Sequence, residues 1–138
     1  MSVKKLKKIE FPENSELRYI ETDAFNDCSV ECINIPASVE NLHEGWCAKT
    51  AKLNQVIISP NNKNYKYLDD KHEIILEKSD KSKEVFDVIV FANRNIKEAI
   101  IPSYIKRINS YAFQNCSNLK TIEFQENSQL RSIGSESF

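Results

Sequence analysis

The sequence predicts a mainly-β repeat solenoid, and three observations carry that expectation. First, the stretch from Ile96 to Phe124 spaces its apolar residues by neither a helical nor a strand period throughout. Ile96, Ala99, Ile101, Ile105, Ile108, the pair Ala112-Phe113, Cys116, Leu119, Ile122 and Phe124 read as a short strand, a corner, a second short apolar step, a buried aromatic and a return to the strand. Second, such a unit has no second face to bury itself against, and the chain supplies about five copies of it. Third, 138 residues suit one domain with a continuous core.

The first copy, near 6–28, runs LKKIEFPENSELRYIETDAFNDC and places Leu6, Ile9, Phe11, Leu17, Ile20, Ala24 and Phe25 in the apolar slots, closed by Cys28. The second, near 30–52, uses Val30, Ile33, Ile35, Val39 and Leu42 and then departs at its corner. If spacing is kept, Trp46 takes the alanine slot and Cys47 the phenylalanine slot. A one-residue deletion that leaves Trp46 as the aromatic plug is the competing alignment, and the sequence does not choose between them.

The third copy, near 53–95, opens normally with Leu53, Val56 and Ile58 and then breaks pattern. Asn61, Asn62, Asp69 and Asp70 are turn formers, because their side chains satisfy nearby backbone donors. Ile74, Ile75 and Leu76, then Val85, Phe86, Val88, Ile89, Val90 and Phe91, are apolar runs around a polar segment from Glu77 to Glu84, a β-hairpin signal over about 74–91. Insertions of this kind are expected on one face of a repeat array. The fourth copy covers 96–118. The fifth, 119–138, uses Leu119, Ile122, Phe124, Leu130, Ile133 and Phe138 and is incomplete at its aromatic. That stop leads the sequence reading to expect part of a longer array, or a C-terminal edge through which chains self-associate.

Composition narrows the function classes. A formal net charge of -1 supplies no field favouring nucleic acid or an anionic membrane, and no apolar run approaches bilayer length. The N-terminus MSVKKLKKIEFPE is basic without the apolar segment of a signal peptide, so the sequence carries no export address as written. Lys4, Lys5, Lys7 and Lys8 alternate with apolar residues and read as a solvated edge. Cys28 and Cys116 fall at the same place in two copies, AFNDC and AFQNC, as small buried apolar residues would. Reduced thiols are therefore expected, with no CxxC metal spacing.

The pattern LxxIxI-P-xx-V-xx-I-xxx-AF-xx-C resembles the BspA-like leucine-rich repeats of bacterial and protist surface proteins. IPASVENL and IPSYIKRINSYAFQNCSNLKTIEF resemble it most, SPNNKNYKYLDDKHEII resembles a hairpin-bearing variant repeat, and the resemblance covers nearly the whole chain. It implies a right-handed leucine-rich-repeat array of about five short repeats with an inserted β-hairpin. It also implies a non-enzymatic module for adhesion or for host or matrix contact, with a protein or glycan ligand, at the cell surface or secreted. The alternative is a fragment of a longer array or an intracellular interaction scaffold.

Strand alternation points to the face that would do the binding. In each LxxIxI strand the capital positions face the core and the intervening ones face outward. Stacked as one parallel sheet, the outward columns are Lys8, Cys32, Gln55, Glu98 and Thr121, then Glu10, Asn34, Ile57, Ile100 and Glu123. Lys8, Glu10, Asn34, Gln55, Ile57, Glu98, Ile100, Thr121 and Glu123 are the candidate ligand-binding residues. Ile57 and Ile100 are the sharpest among them, since adjacent outward apolar residues are unusual unless they bind a partner or the hairpin covers them. Catalytic groupings are thin. His43 with Cys47 reads better as a corner histidine beside a core cysteine than as a nucleophile pair. Asp69, Asp70, His72 and Glu73 read better as a solvated turn than as metal ligands. No catalytic residue, metal or cofactor is expected.

Overall fold

The computed structural model describes residues 6–26 and 28–138; Lys4 and Lys5, expected on a solvated edge, lie outside them. The described residues form β-strands and turns without a helix. Four copies contribute a first strand and a shorter second one: β1 (Lys8–Ile9) and β2 (Tyr19–Ile20), β3 (Cys32–Ile35) and β4 (Asn41–Leu42), β9 (Glu98–Ile101) and β10 (Arg107–Ile108), β11 (Thr121–Phe124) and β12 (Ser132–Ile133). The third copy supplies β5 (Gln55–Ile58) and then β6 (Tyr65–Tyr67), β7 (Ile74–Glu77) and β8 (Val88–Ala92). The first strands alternate as the sequence predicts, with Val56 and Ile58 of β5 buried and Gln55 and Ile57 exposed.

Corner geometry resolves the register that the sequence leaves open. Asp23, Gly45, Tyr111 and Glu136 all adopt positive φ, between 54° and 88°. Each precedes the pair that fills the apolar corner: Ala24-Phe25, Trp46-Cys47, Ala112-Phe113 and Ser137-Phe138. The turn bonds agree, because the N–H groups of Cys28, Thr50 and Cys116 donate to the carbonyls of Phe25, Cys47 and Phe113. Spacing is therefore kept, with Trp46 in the alanine slot, Cys47 in the phenylalanine slot and Thr50 where the first and fourth copies have cysteine. The indole reaches across its corner, meeting Phe25 edge-on at 6.3 Å and Phe91 at 5.5 Å between ring centroids.

The hairpin differs from its expected place. β7 and β8 pair antiparallel, and β6 adds a third antiparallel strand that the sequence reading missed. Val85 is exposed and the strand begins only at Val88. The hairpin is not laid on one face; it runs through the interior. Ile75, Val88, Val90 and Phe91 pack with the core of the first two copies, while Ile74, Leu76, Ile89 and Ala92 pack with that of the fourth. A strand buried on both faces reads as an unbroken apolar run, which explains IIL and VIVFA. A register shift at Ile75/Leu76, where Leu76 faces Ile89 and Ile75 faces Phe91, leaves Val90 as the extra residue of a bulge. The bulge turns Val90 and Phe91 toward the same core and so delivers Phe91 to Trp46.

This insertion also corrects the expectation of one continuous sheet. β1, β3 and β5 form a parallel sheet and β9 with β11 another, while β8 continues into β10 and β12 on the second side. Between β5 and β9 stands the turn joining β6 to β7, where Leu68 donates to the Ile74 carbonyl and Asn93 to that of Glu73. Ala24, expected in the core, is exposed, because the first copy has a neighbouring copy on one side only. Phe124 and Phe138 are exposed for the corresponding reason at the last copy, although Phe138 stacks on buried Phe113 at 4.9 Å.

Candidate binding surfaces

Within each half of the divided face the expected columns hold their register. Lys8 is level with Cys32 and Cys32 with Gln55, and Asn34 is level with Ile57. Glu98 is level with Thr121 and Ile100 with Glu123. The structure does not bring Gln55 beside Glu98 or Ile57 beside Ile100. Each half-face is polar around one isoleucine, and the hairpin covers neither: Ile57 is 44% exposed and Ile100 50%.

Not every outward residue is equally free. β1 ends at Ile9, and the Asn34 amide takes over its ladder by accepting from the Phe11 N–H at 2.6 Å and donating to the Phe11 carbonyl at 2.8 Å. Glu10 lies beyond that strand end, 4.0 Å from Lys8 Nζ with both side chains well exposed, an ion pair worth little in water. Gln55, Glu98, Thr121 and Glu123 stay exposed on their strands.

The groups singled out as thin catalytic candidates have structural roles. Cys47 is fully buried against the Tyr111 carbonyl at 3.6 Å, and burial pushes its thiol up to about 11, only partly offset by the Arg94 guanidinium. A thiol held protonated in this way is a poor nucleophile. His43 meets Tyr19 edge-on at 6.0 Å and has Nε2 3.8 Å from Glu21. In the β6–β7 turn, Asp69 Oδ1 accepts from the Lys71 N–H at 3.0 Å, as turn aspartates do. Among the described residues no three His, Cys, Asp or Glu side chains converge as metal ligands would. Cys32, Cys47 and Cys116 are free thiols.

Two features escaped sequence reasoning. Arg94 is 2% exposed, and its guanidinium donates to the carbonyls of Thr50, Cys47, Ala112, Tyr111 and Ala92 at 2.9–3.3 Å. The third copy has lost its AF-x-x-C corner to the hairpin, and Arg94 fills that gap between the corners of the second and fourth copies. The only signal in the sequence was a lone arginine where other copies carry an apolar plug. The second feature joins the hairpin to the second strands. Tyr65 accepts from the Leu42 N–H at 2.7 Å and donates to Glu77 Oε1 at 3.2 Å, while Arg107 lies 3.8 Å from Glu77. Burial pushes the Glu77 carboxyl up against the opposing pull of Tyr65 and Arg107.

The repeat register, the left-handed corners and the hairpin-bearing copy together define the family. The chain matches the BspA type leucine rich repeat region in six copies, over residues 1–69 and 84–138. It belongs to the BspA-type leucine-rich repeat family. The matched copies number one more than the turns counted from strands, and the unmatched residues 70–83 span β7 and part of the loop after it. No curated protein matches the sequence. Solved structures with the same fold include a leucine-rich repeat protein from Eubacterium ventriosum, with a TM-score of 0.75 and 24% identity over 93% of this chain and 38% of that one. The pneumococcal vaccine antigen PcpA superposes with a TM-score of 0.68 and 24% identity over 96% of this chain and 36% of its own. A leucine-rich cell surface protein from Faecalibacterium prausnitzii gives 0.70 and 19% over 98% and 39%. The BspA-type array described here thus spans well under half the length of each.

Proposed function

We propose that this BspA-type array is a non-enzymatic binding module, displayed at a cell surface, that takes part in adhesion or matrix contact through the outward face of its first strands. The observation that carries the reading is the pair Ile57 and Ile100, both exposed on regular strands whose inward neighbours are fully packed. Apolar side chains held rigidly on a polar face suit the anchors of a binding surface better than they suit water. The likeness to a cell surface protein and a vaccine antigen supports the surface location. The ligand class is a protein or a glycan, and neither half-face has the cationic excess that nucleic acid would need.

The test is adhesion of the purified chain to immobilised fibronectin, laminin and mucin, wild type against Ile57→Asp/Ile100→Asp. Both positions are exposed, so stability should change by no more than about 0.5 kcal/mol per site. Adhesion to at least one surface, weakened about tenfold or more in the variant, is expected. Absence of adhesion to all three, or adhesion that the variant retains in full, overturns the reading.

A further inference from the structure

The β6–β7 turn that divides the face leaves an open cleft of about 590 Å³ beside β5, lined by Glu31, Cys32, Asn54, Gln55, Lys71, His72 and Asn93. That volume falls in the range of roughly 300–1,000 Å³ typical of small-ligand clefts. We infer that this cleft is a saccharide subsite, an inference that deepens the binding-module reading and rests on it.

An aromatic ring is fixed at its wall. His72 stacks on Tyr67 with centroids 4.1 Å apart and planes inclined by 9°, yet stays exposed. Tyr67 is itself pinned, its hydroxyl accepting from the Ile58 N–H at 3.0 Å and donating to the Val56 carbonyl at 2.6 Å. The imidazole is therefore placed over the edge of β5 by two hydrogen bonds that hold its stacking partner. A sugar ring presents a face of C–H groups to such a ring.

Asn93 is committed, its amide donating to the His72 carbonyl at 3.4 Å and tying the turn to the end of β8, while the polar groups along the β5 side of the cleft are open to a ligand. Asn34 is bonded to Phe11, Asn62 to the carbonyls of Pro36 and Val39, and Asn64 to that of Val39. The amides of Asn54 and Gln55 and the carboxylate of Glu31 make no hydrogen bond among the described residues. Amides supply donors and acceptors side by side, matching hydroxyls that are both. One acid, Glu31, and one base, Lys71, leave the lining without an excess of either charge, which suits a neutral polyol better than an anion.

The test is NMR titration of the ¹⁵N-labelled chain with chitotriose, maltotriose and mannotriose at about 10 mM, where millimolar complexes are largely formed. Backbone amides of residues 31, 54, 55, 72 and 93 should shift with at least one sugar. The shifts should weaken about tenfold or vanish in His72→Ala and in Asn54→Ala/Gln55→Ala, with far-ultraviolet circular dichroism unchanged. Shifts with none of the three sugars overturn the subsite. Shifts confined to the Ile57 or Ile100 half-face also overturn it, but leave the binding-module reading standing. Failure of the adhesion assay with intact cleft shifts has the opposite consequence.

Discussion

Arg94 and Cys47 are joined by a 3.0 Å hydrogen bond from Nη2 to the backbone carbonyl, across 47 positions of sequence. The same guanidinium reaches the Ala112 carbonyl at 2.9 Å and lies 4.8 Å from the centre of the Phe91 ring. No carboxylate lies within ion-pairing distance of it among the described residues. The charge is held by carbonyl dipoles, the Thr50 hydroxyl and the Phe91 ring, in the gap where the third copy has no corner of its own. Arg94→Ala would remove a donor from each of these buried carbonyls, of which those of Cys47, Ala112 and Tyr111 keep another, and should destabilise the fold by about 1–3 kcal/mol, the cost of buried acceptors left under-satisfied. Arg94→Lys should restore less than half of the loss, since an ammonium cannot reproduce the planar fork. Urea unfolding of the three proteins measures both effects, and a loss under about 1 kcal/mol for the alanine variant refutes the role.

Cys47 makes stability fall at alkaline pH. Its folded thiol is raised from 9.0 to about 11. A raised acid contributes stability that is fully present below the unfolded value and is lost as pH rises through the folded one. The loss should therefore run from about pH 9 to 11 and total about 3 kcal/mol for this group at 1.36 kcal/mol per unit. Tyr65, Tyr67 and Cys116 are raised chiefly by burial as well and steepen the same limb. Urea midpoints at pH 8 and 10.5 should drop less in Cys47→Ala than in wild type. Equal drops would show that the thiol does not govern that window.

Gly134 occupies a place that no side chain can share. A Cβ there would lie 2.4 Å from the Ser110 backbone nitrogen and 2.6 Å from its Oγ. Gly134→Ala must push the last copy off the fourth, and about 1–3 kcal/mol of destabilisation is expected, as for other overpacked sites. Thermal unfolding tests it, and an unchanged Tm would mean that the last copy is not seated as described.

Phe113 is 1% exposed and stacked on Phe138. Phe113→Ala should cost about 3–5 kcal/mol, as for other core aromatics. Against a total of roughly 5–15 kcal/mol, that threatens the C-terminal half outright. A change below about 1 kcal/mol in chemical denaturation would contradict its place as a plug.

How much of this was legible in the sequence varies by residue. The apolar slots of the regular copies were, because Ile35, Val39 and Leu42 keep the spacing of Ile101, Ile105 and Ile108, which only stacked turns satisfy. Trp46-Cys47 was not, since what distinguishes the two alignments is a left-handed backbone at Gly45, visible only beside Asp23, Tyr111 and Glu136. The interior course of the hairpin was written in Ile74–Leu76 and Val88–Phe91, which do not alternate. Read as a surface insertion, they gave a face with unbroken columns, whereas strands buried on both sides need unbroken apolar runs. The cleft lies where that error lay: Gln55 is legible as an outward residue, but its neighbours come from the insertion, His72 from the β6–β7 turn and Asn93 from just after β8. Arg94 offered only its own oddity, a lone arginine where other copies carry an apolar plug, because its partners are mostly backbone carbonyls, which every residue carries.

The hairpin wall has a consequence for how the molecule comes apart. In a uniform repeat array each unit touches only its neighbours, so fraying can begin at either end and run inward one unit at a time. Here β7 and β8 are shared by both hydrophobic clusters. Fraying from the first copy and fraying from the last should therefore stall against the same barrier. Amide hydrogens of Leu76, Ile89 and Phe91 should outlast all others in exchange, making this copy the keystone of an otherwise serial chain.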